Sequence, residues 1–228
     1  GDSARRRSED QLIRTQLKTM VRPVDVRGFA TLLLLLGGAA CGRPATGLAL
    51  GEELFEACTP CHGANGGGNP EIAAPGIAGL PQWYVETQLQ GFQAGFRGKH
   101  ADDLPGLRMR PMAISLREDD IPSIAEYVAS LTPVFVPSTL HGNAGAGAEI
   151  YIRCVACHGT DGLGNELLRA PPIVQLDDWY LVQELQNFKQ GARGTVAADT
   201  WGITMRVNTL ALSDQAMEDV VAYVQTLR

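Results

Sequence analysis

The chain has 228 residues, 45% of them hydrophobic and 6% aromatic, with 19 basic and 25 acidic side chains and a formal net charge of −6. That length holds one large domain or two small ones. Residues 1–50 carry 8 Lys and Arg against 4 Asp and Glu, leaving 11 against 21 for the rest, so the body is acidic and nucleic acid is a poor partner for it.

The chain begins with an unusual leader. After Met20 come Arg22 and Arg27, then the apolar run Phe29 to Leu36, then the small residues Gly37-Gly38-Ala39-Ala40. This is the order of an export signal, and its apolar run is too short for a membrane span of about 20 residues. Residues 1–19, polar and rich in arginine, fit neither a signal nor a domain, and two explanations stand: true initiation at Met20, or a genuine extension. Cys41 directly follows the small-residue zone. It is either the lipidated first residue of a mature lipoprotein, although Gly38 stands where such signals usually carry leucine, or a residue lost with the signal or left as a free thiol. The expected location is the periplasm or the outer face of the cytoplasmic membrane.

Past the leader, the chain is built on a pentapeptide that occurs twice, Cys58-Thr59-Pro60-Cys61-His62 and Cys154-Val155-Ala156-Cys157-His158. C-x-x-C-H is the attachment pattern of c-type haem: two thiols join the vinyl groups, and the adjacent imidazole reaches the iron. A single run could also be a redox or zinc element. Repetition decides against that, because a zinc site needs no copy of the surrounding sequence. The first cysteines stand at 58 and 154, an offset of 96 residues. The same offset relates Trp83-Tyr84 to Trp179-Tyr180, Gln88-Leu89 to Glu184-Leu185, Arg97-Gly98 to Arg193-Gly194, Met109 to Met205 and Tyr127-Val128 to Tyr223-Val224, without a gap. The expected organisation is an extension over 1–50, haem domains over 51–132 and 147–228, and a linker over 133–146. In domains of this size a covalent porphyrin supplies much of the interior, so the haem-free chain is expected to fold poorly.

Within each copy the elements read in parallel. Segments from Gly51 and from Gly147 lead into the attachment sites as short helices with acidic residues in their first turns. Glycine-rich turns follow each histidine. Amphipathic helices are expected over Gln82–Gln93 and Asp178–Gln190, closed by Gly95 and Gly191. Arg97 and Arg193 are read either as charge partners of haem propionates or as solvated surface residues. Longer loops, Gly98–Leu107 and Gly194–Thr204, come next. The sixth iron ligands are expected from the loop before the last helix, Met109 in the first copy and Met205 in the second, with Met112 as an alternative to Met109. Final helical stretches open at Leu116 and Leu212. They carry the stripes Ile121, Ile124, Ala125, Val128, Leu131 and Met217, Val220, Val221, Val224, Leu227, with Pro122 delaying the first helix. Thr132–Ala146 reads as a connector, stiff and then flexible. His100 and His141 are read as surface residues.

On these motifs, together with the segments Leu89-x-x-Phe92-x-x-Gly95 and Leu185-x-x-Phe188-x-x-Gly191, residues 51–228 resemble the two-haem class I cytochromes c of the cytochrome c4 kind. The resemblance implies an all-α fold, two tandem domains of a few short helices around one covalent haem c each, packed about a pseudo-twofold axis. It implies that the carbonyls of Pro75 and Pro171 accept the second imidazole N–H of His62 and His158, although each could also be an ordinary loop proline. Ligation would then be His62 with Met109 and His158 with Met205, thioether links would run through Cys58, Cys61, Cys154 and Cys157, and no residue would be catalytic. The long loops depart from that pattern and look more like haem domains associated with terminal oxidases and reductases. Two functions follow. One is a carrier of single electrons between respiratory partners that dock through a basic patch. The other is a subunit of a larger oxidoreductase, or an enzyme of the dihaem peroxidase kind.

Overall fold

The computed structural model describes residues 46–228, so the expected export signal and Cys41 lie outside the described residues. Ten α-helices make up the described chain: α1 (Leu48–Phe55), α2 (Thr59–His62), α3 (Gln82–Ala94), α4 (Leu104–Ile114), α5 (Ile121–Ser130), α6 (Ala144–Tyr151), α7 (Val155–His158), α8 (Asp178–Gln190), α9 (Thr200–Thr209) and α10 (Asp214–Gln225). Short 3-10 turns lie at Pro70–Ile72, Glu118–Asp120 and Glu166–Leu168. Among the described residues there is no strand, only the isolated bridges Asn69 to Ala74 and Asn165 to Ala170. The all-α duplication expected from the sequence is present, α-helix for α-helix.

In each copy the first helix crosses the last. Gly51 of α1 lies so close to α5 that an added Cβ would stand 2.0 Å from the Ser123 carbonyl oxygen, and Gly147 of α6 would meet the Asp219 carbonyl of α10 at 1.9 Å. Glycine is needed at both crossings because backbone touches backbone. Aromatic pairs seal the contacts, Phe55 with Tyr127 and Tyr151 with Tyr223, each at 5.3 Å between ring centroids. The final helices bury their stripes as expected: Ile121, Ile124, Ala125 and Val128 in α5, and Met217, Val220, Val221 and Val224 in α10. Each such aliphatic side chain contributes about 1.5–3 kcal/mol when fully removed from water. Leu131 and Leu227 at the stripe ends are half-buried.

Several local expectations are corrected. The helices before the attachment sites start earlier, at Leu48 and Ala144, so Glu52, Glu53 and Glu149 lie beyond the first turn and the dipole contribution is lost. Asn143 starts α6 by accepting from the amides of Gly145 and Ala146, which turns the supposedly flexible glycine run into a helix. The connector before it is pinned as well: Asp178 accepts from the hydroxyl of Ser138, the amide and hydroxyl of Thr139 and the amide of Leu140. The methionines stand on helices rather than in loops, Met109 on α4 and Met205 on α9. Asp103 and Asp199 cap those helices by accepting from Gly106 and Gly202, both at 2.9 Å. Leu116 and Leu212 precede the final helices instead of opening them. Pro122 does delay α5, whose first residue is Ile121 where α10 begins at Asp214, three positions earlier by the repeat.

Candidate haem sites

The attachment motif folds as one turn of helix, with the His62 amide donating to the Cys58 carbonyl at 2.9 Å and His158 repeating this to Cys154 at 2.9 Å. One turn places residues three and four apart on a common face, so both thiols and the imidazole face one side. The chain then reverses at Gly63 and Gly159, and the bridges at Asn69–Ala74 and Asn165–Ala170 bring a proline back beneath each histidine. Nδ1 of His62 lies 2.9 Å from the Pro75 carbonyl oxygen, and Nδ1 of His158 lies 3.0 Å from that of Pro171. A carbonyl can only accept, so Nδ1 carries the proton and Nε2 keeps its lone pair. Burial pushes both imidazoles below their ordinary value, opposed in part by these hydrogen bonds, which keeps them neutral. Cys58 and Cys154 are raised, chiefly by burial.

Two cavities follow the repeat. Cys58, Cys61, His62, Leu89, Phe92, Met109 and Met112 line the first, and Cys154, Cys157, His158, Leu185, Phe188 and Met205 line the second. Met109 and Met205 are half-buried, whereas Met112 is 45% exposed. His100 and His141 are exposed and line neither cavity.

The arginines are not solvated surface residues. Arg97 is 6% exposed, its guanidinium 4.4 Å above the Phe92 ring, and Arg193 repeats this over Phe188 at 4.4 Å. Both converge on Glu184 of α8. Arg97 Nη2 donates to Glu184 Oε2 at 3.1 Å, and Arg193 Nη1 donates to the same oxygen. Gln88 of α3, the repeat counterpart of Glu184, accepts from Arg97 at 2.6 Å and from Arg193 at 3.3 Å. Burial would raise the Glu184 carboxyl, but Arg193 and Arg97 more than reverse this and hold it below the ordinary range. This polar cluster joins the two copies, as does the hydrogen bond from the Gly76 amide to Asp177. Sequence reasoning aligned Gln88 with Glu184 but assigned them no role, and it passed over Asp177 and Asp178. The available signal was a charged or amide residue one position before a leucine of the apolar stripe in the same helix.

The cavities fit a porphyrin with acidic side arms. Their walls combine apolar side chains, a thiol pair, an imidazole with an uncommitted Nε2 and a thioether. The Nε atoms of Arg97 and Arg193 are buried without a partner, which suits a carboxylate ligand. Among the described residues there is no group of three or more His, Cys, Asp or Glu side chains that could hold a bare metal ion.

Fold and cavities thus define a helical protein with a duplicated haem-binding domain. The chain belongs to the cytochrome c family, whose model matches residues 48–132 and again 144–228, and it takes two covalently bound haem c groups. It is 28% identical over 208 residues to a thiosulfate dehydrogenase electron acceptor of Stutzerimonas stutzeri, a match covering 86% of this chain and 91% of that protein. It is 27% identical over 215 residues to cytochrome c4 of Azotobacter vinelandii, covering 88% and 99%. The crystal structure of reduced recombinant cytochrome c4 from Pseudomonas stutzeri superimposes with a TM-score of 0.62 at 27% identity, covering 79% of this chain and 98% of that one.

Proposed function

We propose that Cys58 and Cys61 hold the first haem and Cys154 and Cys157 the second, with His62 and Met109, and His158 and Met205, as the axial pairs. Each bound haem supplies an iron that cycles between Fe(II) and Fe(III), and a methionine opposite a histidine raises its potential. The observation that carries this reading is the repeated cavity, each copy walled by a thiol pair, a neutral imidazole with a free Nε2 and a thioether. The protein transfers single electrons between redox partners. Its own residues exclude water, fix the imidazole tautomer through Pro75 and Pro171, and meet acidic side arms with Arg97 and Arg193.

Residues 51–132 and 147–228 form the two haem-holding domains, joined by 133–146. The acidic body suits a partner with a basic docking patch. The name of the Stutzerimonas relative supports a second reading, service to one dedicated dehydrogenase complex. Residues 20–40 direct export, to the periplasm or the outer face of the cytoplasmic membrane. Production with haem-attachment machinery, followed by intact mass after acid-acetone extraction, tests the assignment. The expected mass is that of the chain with two haems, and one haem or none overturns it. Carbon monoxide binding by the unmutated protein would replace the carrier reading with an enzymatic one.

A further inference from the structure

The peptide bond between Pro75 and Gly76 is engaged at both ends. Its carbonyl oxygen lies 2.9 Å from Nδ1 of His62, and its N–H donates at 2.8 Å to Oδ2 of Asp177, which is 101 positions away in the second domain. Asp177 is the N-cap residue of α8, yet its side chain makes no capping bond to that helix. It is 6% exposed and turned instead toward the first domain. The second copy lacks this arrangement. The repeat counterpart of Gly76 is Pro172, which has no N–H, and the counterpart of Asp177 is Pro81, which has no carboxylate. The bond from His158 to Pro171 therefore ends at the carbonyl.

We infer that Asp177 is a positioning residue for the first haem alone: through the Pro75–Gly76 peptide it strengthens the hydrogen bond to His62 and holds that haem at a lower reduction potential than its twin. This rests on His62 as axial ligand. A carboxylate accepting from an amide N–H draws its proton away and leaves the carbonyl of the same amide more negative. Hydrogen bonds in such chains reinforce one another by about 10–30% each. The more negative carbonyl takes a stronger hydrogen bond from Nδ1–H, making the imidazole a better electron donor, and this favours Fe(III) over Fe(II). An electron arriving at the first domain then moves downhill to the second.

The test uses the two-haem protein and a redox titration that resolves the haems by their NMR signals. Gly76→Pro copies Pro172 and removes the N–H while keeping the carboxylate. Asp177→Asn keeps an acceptor and removes the charge. Each is expected to raise the first midpoint potential by a several-fold to about tenfold change in its reduction equilibrium, tenfold being 59 mV for one electron. The second haem should stay within about twofold, and haem count and the sulfur-to-iron charge-transfer band should not change. Pro172→Gly creates an N–H with no carboxylate opposite and should leave the second potential where it is. An unmoved first potential in Gly76→Pro overturns the relay, and so does an equal shift of both haems in Asp177→Asn, which would mark a diffuse field. If His62→Gly retains the low-spin spectrum of two haems, the ligand assignment itself fails, and that result is separable because it needs no potential.

Discussion

Gln88 and Glu184 occupy the same place in the two repeats, carry different charge, and are bridged by the same two arginines. The duplicated fold is thus not electrostatically symmetric. At its centre two buried guanidiniums share a single carboxylate, and the neutral amide on the other side supplies an acceptor without charge.

This asymmetry makes Glu184 hard to replace and easy to relocate. Glu184→Gln takes away the protein carboxylate that Arg97 and Arg193 share, and loss of one partner from a buried pair costs about 3–5 kcal/mol. Gln88→Glu added to that variant restores a carboxylate within reach of both arginines and should recover most of the loss. Denaturant unfolding of the three proteins checks this, and a swap no more stable than the single variant would contradict the shared-carboxylate arrangement.

Acid should act on the same cluster. Because the folded Glu184 carboxyl sits below its ordinary value of 4.5, its contribution is present above that pH and is lost as pH falls through the folded value. The stability gap between the unmutated protein and Glu184→Gln should be constant near neutrality and should close below about 4.5. A gap that instead widened on acidification would reverse the assigned sign.

The helix crossings predict steric sensitivity. Gly51→Ala and Gly147→Ala each drive a methyl into a carbonyl oxygen of the crossing helix, and overpacking of this kind costs about 1–3 kcal/mol. Thermal unfolding should show lower midpoints for both, with reduced haem incorporation. Alanine at Gly145, where the nearest contact to an added Cβ is 3.2 Å from the Asn143 side chain, should be far milder.

Ligation is tested by substituting methionines. Met109→Ala and Met205→Ala should each abolish half of the sulfur-to-iron(III) absorption of the oxidised protein and open one haem to carbon monoxide. Met112→Ala should leave both features intact, since the repeat offset places Met109 and not Met112 at the position of Met205. The opposite result in the first domain would mean that the repeat breaks within α4.

What the sequence determined by itself was much of what depends on near neighbours or on repetition. A constant offset of 96 residues exposed the duplication, and the C-x-x-C-H spacing marked the candidate haem sites, because one helical turn gathers residues three and four apart. The helices α3 and α8 were legible to within a residue, since apolar periodicity and a closing glycine are local signals. The methionine helices were not, because Pro105, Gly106 and Pro111 in α4 disguise a helix whose start is marked only by the Asp103 cap. Only the tertiary structure decided the roles of Arg97, Arg193, Glu184 and Asp177. Their partners lie 83 to 105 positions away in three of the bonds that matter, Arg97 to Tyr180, Gly76 to Asp177 and Arg193 to Gln88. No periodicity encodes such pairings. They arise when two similar but unequal surfaces pack together, and the inequality between the copies is what gives each haem its own surroundings.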